Sequence, residues 1–320
     1  MSKENLKQVT ALDCTFQAVE EGTHDSLLKE GGVYPLCEGA YLKTSVSHAF
    51  LRGITPKFVL SLYHRLRLQL RAVSRSLSGV KTCQVGKVTI KVGVASELEH
   101  YRAETYATKE PETIDWLDEN LRDEDVFMDV GANIGLYSLY AAKLKPTSNI
   151  YAFEPESQNF SRLCRNIVLN QAVNIVPCNF PLADREEFDL FYVGTMEIGS
   201  ALHSFGRPSG FRVGSGEPAL RQGAISATLD ALVGKFGLPQ PTLLKIDVDG
   251  LEEKILTGAQ MVLKCETLRT VLVELNFVDE SSPTRVEQTL VKFGYALDRK
   301  GDHVWEQNGM KSRNYIFKRA

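Results

Sequence analysis

From Asp125 to the end of the chain, apolar segments of strand length alternate with segments of helical periodicity, and this alternation restricts the fold more than any other feature. Its first unit, "DVFMDVGANIGLYSLYAAK", passes from an apolar segment through a loop with glycines at 131 and 135 into a helical pattern. Repeated units of this kind predict an α/β fold, with a mainly parallel sheet covered by helices on both faces.

Apolar runs and turn signals place the individual elements. The expected strands are Val126–Val130, Ile150–Phe153, Asn174–Pro177, Thr242–Ile246 and Thr270–Leu275. The expected helices are Leu136–Leu144, Glu156–Asn170, Leu229–Gly234, Glu252–Ala259 and Thr284–Phe293. Upstream, the pattern predicts a hairpin around Gly86 and a helix over Lys109–Leu121. At the C-terminus, "HVWEQ" and "NYIFKRA" flank "NGMKS", which predicts a closing antiparallel hairpin.

The composition excludes several classes of protein. With 320 residues, 43% hydrophobic and 24% charged, the chain is large enough for a full globular core. A net charge of -3 argues against nucleic-acid binding, which needs an excess of lysine and arginine. No apolar run approaches the roughly 20 residues that span a bilayer, and the first residues lack the layout of a secretory signal. The six cysteines are scattered without metal or redox spacing, so we expect reduced thiols in a cytoplasmic protein.

The charge pattern separates an N-terminal extension, residues 1–80, from a main domain, residues 81–320. No acid occurs between Glu38 and Glu97, whereas lysines and arginines are frequent there. Within this stretch, Pro56–Leu77 predicts a basic amphipathic helix. Such a helix could make a peripheral contact with an anionic membrane or hold a partner, or it could pack on the main domain with a solvated basic face.

Acidic residues lie at or just after the ends of the expected strands: Asp129, Glu154, Asp247, Asp249 and Glu274. In open parallel sheets, ligands bind beyond the carboxyl ends of the strands, so these side chains would meet at one edge. Carboxylates gathered in one place are unfavourable unless a cation, hydrogen-bond donors or protons offset their charge. The cluster therefore favours an enzyme site.

The loop after the first expected strand differs from a dinucleotide fingerprint. A G-x-G-x-x-G motif beginning at Gly131 would need glycine where the chain has Asn133 and Leu136. Asp129 would repel a pyrophosphate, but it would suit a ligand with an ammonium group, such as S-adenosylmethionine. Glu154, at the end of the second strand, could accept hydrogen bonds from both ribose hydroxyls of such a cofactor.

Five segments, "FMDVGANIGLYSLYAA", "IYAFEPESQNFSRLCRNIVLN", "ATLDAL", "LLKIDVDGLEEKILTGA" and "VLVELN", occur in an order that resembles the FkbM-type methyltransferases. The resemblance extends over about residues 105–275. It implies an S-adenosylmethionine-dependent enzyme whose methyltransferase domain is residues 81–320. The implied fold is the Rossmann-like class I methyltransferase fold, an α/β fold with a mainly parallel seven-stranded sheet that ends in an antiparallel hairpin. Members of this family mostly methylate hydroxyl groups on sugars and natural products.

The resemblance also implies a cofactor site built from the glycine loop and the ends of the neighbouring strands. The residues expected in it are Asp129, Gly131, Ala132, Asn133, Gly135, Glu154, Pro155, Asn179 and Asp247. Asn179 would contact the adenine side of the cofactor. Its motif, "PCNFPLAD", departs from the family pattern at Phe180 and Pro181, where the family usually has a shorter step to alanine.

Methyl transfer to a hydroxyl needs a base, because a hydroxyl is a poor nucleophile. We expect Asp249 to be the base or its helper, and Asp247 to contact the cofactor or the acceptor; alternatively, Asp249 caps the helix that starts at Leu251. His203 is another candidate base, since neutral imidazole accepts protons near pH 7. A competing hypothesis is a Mg²⁺ ion held by Asp247, Asp249 and Glu274, although their spacing does not require a metal.

The segment Gly199–Ala224 is rich in glycine, which predicts either a mobile cover over the active site or a floppy insertion. Arg207 and Arg212 within it could bind a phosphate or carboxylate of the acceptor, or they could simply make the loop soluble.

Together these features predict an S-adenosylmethionine-dependent O-methyltransferase acting on a hydroxyl of a sugar-containing or other secondary-metabolite acceptor. The alternatives are an N-methyltransferase on an amine of a small molecule or glycan, a non-catalytic binding protein that keeps the cofactor fold, and a nicotinamide-dependent oxidoreductase. The expected partner is a small-molecule or glycan acceptor, with no nucleic acid. Nothing in the sequence specifies an oligomeric state.

Overall fold

The computed structural model describes residues 79–207, 217–277, 284–307 and 310–320, together with two short strands near the N-terminus. The chain divides into two compact units, Met1–Ser74 and Arg75–Ala320. In the first unit, β1 (Val33–Cys37) pairs antiparallel with β2 (Ala40–Lys43). The basic helix expected at residues 56–77, with its membrane contact, lies outside the described residues, as does Arg212.

The described part of the second unit alternates strands and helices along most of its length. Its strands are β3 (Gly79–Val85), β4 (Val88–Val94), β5 (Val126–Val130), β6 (Asn149–Phe153), β7 (Ile175–Cys178), β8 (Phe188–Val193), β9 (Ser204–Phe205), β10 (Leu220–Ile225), β11 (Leu243–Ile246), β12 (Thr270–Phe277), β13 (Tyr295–Lys300), β14 (Trp305–Gln307) and β15 (Met310–Arg319). Its helices are α1 (Glu97–Lys109), α2 (Pro111–Asn120), α3 (Leu136–Leu144), α4 (Ser157–Asn170), α5 (Leu229–Gly234), α6 (Glu252–Thr257), α7 (Gln260–Lys264) and α8 (Arg285–Lys292).

The main sheet confirms the expected topology. Its spatial order is β13-β15-β12-β11-β5-β6-β7, and β14 pairs with β15 as an eighth strand. The five strands from β12 to β7 run parallel, whereas β15 runs antiparallel to both β12 and β13. The closing hairpin of β14 and β15 is present as expected. The sheet has eight strands rather than seven because β13, which the sequence pattern did not predict, adds to the antiparallel edge.

The central strands are buried on both faces, which explains why their sequences are nearly continuous apolar runs. Every residue of β5 and of β11 is buried. Each of these strands nevertheless contains one charged residue, Asp129 in β5 and Lys245 in β11. The two residues are direct neighbours in the parallel register. The fold therefore places a cation beside a carboxylate inside its most buried layer.

The N-terminal edge of the second unit supplies a wall of the site. The β3–β4 hairpin turns at Gly86, as expected, with φ 54°. The next helix, α1, begins with a capping box: the Ser96 hydroxyl accepts a hydrogen bond from the Glu99 N–H, and the Glu99 carboxylate accepts one from the Ser96 N–H. α2 follows directly, with Pro111 in its first turn.

The glycine-rich segment is more ordered than expected for a floppy insertion. A second sheet of three antiparallel strands, in the order β10-β8-β9, takes two of its strands from this segment. Phe191, Val193 and Phe205 form a small core of their own with Ala183. Residues 208–216 lie outside the described part of the chain.

The described residues bear on the expectations about membrane spans and about cysteines. None of their helices has the length and apolar character needed to cross a membrane. Cys83, Cys164, Cys178 and Cys265 are free thiols, and Cys83 is buried.

Candidate active site

The candidate active site is a cavity of about 500 Å³ at the carboxyl ends of the parallel strands. Charged side chains from several elements line it: Arg102, Lys109, Glu110, Glu154, Lys245, Asp247, Asp249 and Glu274. Its aromatic lining is Tyr106, Tyr137, Phe153, Phe180, Phe191 and Trp305. The strand-end acids therefore meet at one edge, where ligands bind in sheets of this kind.

The loop after β5 approaches its neighbours so closely that glycine is required at two positions. Gly131 has φ 85°, and a Cβ atom there would overlap the carbonyl oxygen of Asp247. Gly135 has φ 89°, and a Cβ atom there would overlap the side chain of Leu163. Both φ values lie in the left-handed region that favours glycine. The two glycines thus hold the loop against β11 and α4.

Glu154 is a buried carboxylate at the end of β6 that faces the cavity. Its Oε2 accepts a hydrogen bond from the Asn133 N–H, and its Oε1 accepts one from the Glu156 N–H, both at 2.8 Å. Burial raises the pKa of Glu154 to about 8, although both backbone donors act to lower it. A carboxylate can accept more than two hydrogen bonds, so donors from a ligand would favour the ionised form.

Residues 199–203, which we call the cover segment, are tied to the glycine loop. Asn133 Nδ2 donates to the Ser200 carbonyl at 2.8 Å, and Asn159 Nδ2 donates to the same carbonyl at 3.0 Å. Asn159 Oδ1 also accepts a hydrogen bond from the Gly199 N–H at 2.7 Å. Asn133 itself adopts φ 50°, a conformation that asparagine tolerates better than most residues.

The cover segment is also joined to the loop after β11. The Leu202 N–H donates to Asp249 Oδ2 at 2.6 Å. α6 begins at Glu252, and its N-cap residue, Leu251, makes no side-chain capping hydrogen bond. Asp249 contacts the cover segment through this hydrogen bond, and its helix-capping role stays a prediction.

Lys245 lies between two carboxylates on the floor of the cavity. Its Nζ is 2.8 Å from Asp247 Oδ2 and 3.7 Å from Asp129 Oδ1, and only 1% of its side chain is exposed. Ser138 Oγ donates to Asp129 Oδ2 at 2.5 Å. Burial lowers the pKa of the Lys245 ammonium, but the two carboxylates outweigh this and raise it above its ordinary value. The amine is therefore charged in the folded protein.

Asp247 and Glu274 are neighbouring carboxyl groups whose pKa values shift in opposite directions. Ser312 Oγ donates to Glu274 Oε1 at 3.0 Å. Burial raises the pKa of Asp247, but the Lys245 ammonium outweighs it and lowers that pKa to about 2. Burial and the Asp247 charge raise the pKa of Glu274 well above its ordinary value. Of the two groups, Asp247 is therefore the stronger acid.

His203 is buried on the cavity wall, and both its ring nitrogens have partners. Nδ1 accepts a hydrogen bond from the Gly194 N–H at 3.3 Å, and Nε2 lies 3.1 Å from Ser200 Oγ. Since Nδ1 is an acceptor, Nε2 carries the proton of the neutral ring. Burial lowers the pKa of His203. The lone pair on Nδ1, which a base would use to accept a proton, therefore already accepts the hydrogen bond from Gly194.

The structure brings most of the expected site residues onto this cavity. Those that line it are Gly131, Ala132, Asn133, Glu154, Pro155, His203, Asp247 and Asp249. Gly135 instead forms the N-cap of α3. Asn179 donates through Nδ2 to the carbonyls of Glu154 and Pro155, at 2.9 and 3.2 Å, so its amide braces the loop after β6 rather than lining the cavity.

Asp129 differs most from its expected role. It was expected to meet an ammonium group of the cofactor, but it is 1% exposed and does not line the cavity. The ammonium group beside it belongs to Lys245. Burial raises the pKa of Asp129, although Lys245 and Ser138 act to lower it.

The hypothesised magnesium ligands are not arranged as a metal site. Within the described ranges, no group of three or more His, Cys, Asp or Glu side chains could hold a metal ion. Asp247, which would have been one ligand, pairs with the Lys245 ammonium. Arg207 is exposed and does not line the cavity.

Several charged and aromatic residues that line the cavity are not among those expected from the sequence, and Lys245 is the most informative of them. A lysine inside the apolar run "LLKI" is a signal, because a lysine is almost never fully buried unless it is paired. Glu110 and Tyr137 were also missed: the Tyr137 hydroxyl donates to Glu110 Oε2 at 3.1 Å, and both residues line the cavity. Apolar periodicity predicts that their segments are helical, but it does not show that one end of each helix faces a site.

The strand order, the glycine loop after the first parallel strand and the buried carboxylate after the second are features of the class I methyltransferase fold. The family model for the methyltransferase FkbM domain matches residues 129–297, more than half of the chain. The chain therefore belongs to the FkbM methyltransferase family, which confirms the resemblance of its motifs.

The individual relatives have low sequence identity to this chain. The chain is 27% identical over 178 residues to the hexuronic acid methyltransferase AglP of Haloferax volcanii, covering 55% of this chain and 67% of AglP. It is 28% identical over 178 residues to the 31-O-demethyl-FK506 methyltransferase FkbM of Streptomyces tacrolimicus, covering 50% of this chain and 68% of that protein. The crystal structure of methyltransferase FkbM from Methylobacillus flagellatus KT aligns with 14% identity and a TM-score of 0.38, covering 70% of this chain and 55% of that one.

Proposed function

We propose that the protein transfers the methyl group of S-adenosylmethionine to a hydroxyl group of a sugar-containing or other secondary-metabolite acceptor. The observation that carries this proposal is the presence of Asp249 on a cavity that also contains the glycine loop and Glu154. A hydroxyl acceptor must lose its proton during transfer, and a carboxylate beside the cofactor can take it. The names of two relatives, a hexuronic acid methyltransferase and a 31-O-demethyl-FK506 methyltransferase, agree with this choice of acceptor.

The residues around the glycine loop fit S-adenosylmethionine. Glu154 would hold the ribose, because two hydroxyl donors would complete the hydrogen bonding of a buried carboxylate. Phe153 and Phe180, whose rings meet edge to face at 5.7 Å, offer an apolar wall for the adenine. When bound, the cofactor supplies a methyl group that is already activated by its sulfonium. The protein therefore acts mainly by aligning the acceptor and by removing its proton.

Asp249 is the best candidate for the base. Asp247 is a weak base, because the Lys245 ammonium lowers its pKa to about 2. Asp249 accepts a hydrogen bond from the Leu202 N–H, which orients its carboxylate on the cavity wall. Asp249 takes the hydroxyl proton as the acceptor oxygen gains the methyl group. His203 ties the cover segment to the Gly194 N–H and is a positioning residue.

The variant Asp249→Asn tests this assignment. On a hydroxyl acceptor, kcat should fall about 10²- to 10⁴-fold, because the amide cannot accept the proton. S-adenosylmethionine affinity, measured by calorimetry, should stay within about twofold of wild type. Asp189→Asn is the matched control, since Asp189 also accepts a hydrogen bond from one backbone N–H, that of Leu190, and does not line the cavity. A wild-type kcat for Asp249→Asn on a hydroxyl acceptor would remove Asp249 as the base.

A further inference from the structure

Lys245 is the one lysine of the described chain that lies at the centre of the sheet and also reaches the active-site cavity. Its ammonium contacts Asp247 at 2.8 Å and Asp129 at 3.7 Å, and it lies 5.3 Å from the centre of the Tyr137 ring. The Asp129 Oδ1 atom has no hydrogen-bond partner apart from this charge. A buried ammonium between two carboxylates is held in place, because each charge would be strongly unfavourable alone.

The neighbours of Lys245 show what the ammonium does. Asp247 keeps 27% of its side chain exposed to the cavity, whereas Asp129 is closed off. Glu274 lines the same cavity, and the Asp247 charge acts on it. Carboxylates this close to each other normally bind protons until their repulsion is relieved, unless a cation lies among them. The cation here is covalently part of β11.

We infer that Lys245 is a positioning residue for methyl transfer: its ammonium is the resident cation of the cavity floor, keeps Asp247 ionised and oriented toward the acceptor hydroxyl, and makes the activity independent of a divalent metal. This inference rests on the proposed transfer to a hydroxyl. Asp247 then accepts a hydrogen bond from the acceptor while Asp249 removes the proton. A divalent ion at the same place would have to displace the Lys245 ammonium, which already contacts Asp247 Oδ2 at 2.8 Å.

Other charged groups near Asp247 do not replace Lys245. Lys109 acts on Asp247 through space and favours its ionised form, but its Nζ is paired with Glu110 Oε1 at 2.9 Å and lies 4.6 Å from the centre of the Trp305 ring. Glu274 is an acid and brings no positive charge to the cavity. Lys245 is therefore the cation in direct contact with Asp247 among the described ion pairs.

The first test reads the charge of Asp247 directly and needs no acceptor. Carbon-13 carboxyl spectra of the full chain are recorded against pH for wild type, Lys245→Met and Lys245→Arg, with Asp247→Asn used to assign the signal. Asp247 should stay ionised to well below pH 4 in wild type and in Lys245→Arg, whereas in Lys245→Met it should take up its proton at a clearly higher pH. An unchanged titration in Lys245→Met overturns the inference.

The second test uses turnover. Wild-type protein treated with EDTA should keep its activity within twofold, and added Mg²⁺ should not raise it. Lys245→Met should raise KM for the acceptor and lower kcat about 100-fold, with partial rescue of Lys245→Ala by ethylammonium. Lys143→Met is the matched control, because Lys143 Nζ donates to the Asn170 carbonyl at 2.6 Å and does not line the cavity.

The outcomes separate this inference from the proposed function. Loss of activity with EDTA and its recovery with Mg²⁺ would overturn the inference while leaving transfer to a hydroxyl intact. Methylation of an amine instead of a hydroxyl would refute the proposed function, whereas the carboxyl titration would still decide the role of Lys245.

Discussion

The Glu154 carboxylate accepts a 2.8 Å hydrogen bond from the backbone N–H of Asn133, which joins the end of β6 to the glycine loop after β5. The Asn133 side chain continues this link to the Ser200 carbonyl in the cover segment. The Leu202 N–H of the same segment then reaches Asp249. These hydrogen bonds, with the short backbone step from Ser200 to Leu202, connect the proposed ribose-binding acid with the proposed base.

Glu154→Gln should weaken S-adenosylmethionine binding by about 1–3 kcal/mol, because the ribose hydroxyls lose charge-assisted hydrogen bonds while the side chain keeps its shape. Calorimetry with the cofactor measures this. Glu104→Gln is the control, since Glu104 is an exposed acid paired with Lys81 outside the cavity. Equal affinity of Glu154→Gln and wild type would remove Glu154 from the cofactor site.

The stability of the free protein should depend on pH through Glu154. Burial raises its pKa from 4.5 to about 8, so the folded state binds this proton more tightly than the unfolded state does. The stabilisation is fully present below about pH 4.5 and is lost as pH rises through about 8. From pH 6 to pH 8, the free energy of unfolding of wild type should fall by about 2 kcal/mol relative to Glu154→Gln. Urea denaturation of both proteins measures the difference, and parallel pH curves would contradict the raised pKa.

Gly131→Ala should destabilise the protein far more than Gly86→Ala. Both glycines have positive φ, 85° and 54°, so both variants carry backbone strain of roughly 1–2 kcal/mol. Only at Gly131 would the added methyl overlap another atom, the Asp247 carbonyl oxygen, whereas nothing lies within 4 Å at Gly86. Thermal denaturation should show the larger loss for Gly131→Ala, and calorimetry should show weakened cofactor binding for that variant alone. Equal losses of stability would mean that the close approach to β11 does not constrain the loop.

The sequence predicted the parallel core well because its strands are buried on both faces. The expected bounds of β5, α3 and α5 agree with the structure, and those of β6, β7 and β11 differ by about one residue. β13 was missed because only Tyr295 of its six residues is buried, so no apolar pattern marks it. α1 was missed for a similar reason: its buried residues are Glu99, Ala103 and Tyr106, which is too few for an apolar stripe.

The site was harder to predict than the core, because its contacts join residues that are far apart in the sequence. Asp129 could be placed at a strand end from the sequence, but its neighbour in the register is Lys245, which is more than 100 positions away along the chain. Only the pairing of β5 with β11 shows that the positive charge beside Asp129 comes from the protein. In the same way, the hydrogen bond from Leu202 to Asp249 joins two loops whose proximity no local pattern indicates.

The central claim, transfer of a methyl group to a hydroxyl, is tested most directly by finding the atom that receives it. Wild-type protein is incubated with S-adenosylmethionine carrying a carbon-13 methyl group and with pooled sugars, nucleotide sugars and lipid-linked glycans. The labelled product is then purified and its methyl carbon is assigned by NMR. The account predicts a methyl group bonded to oxygen, and a methyl group bonded to nitrogen would contradict it.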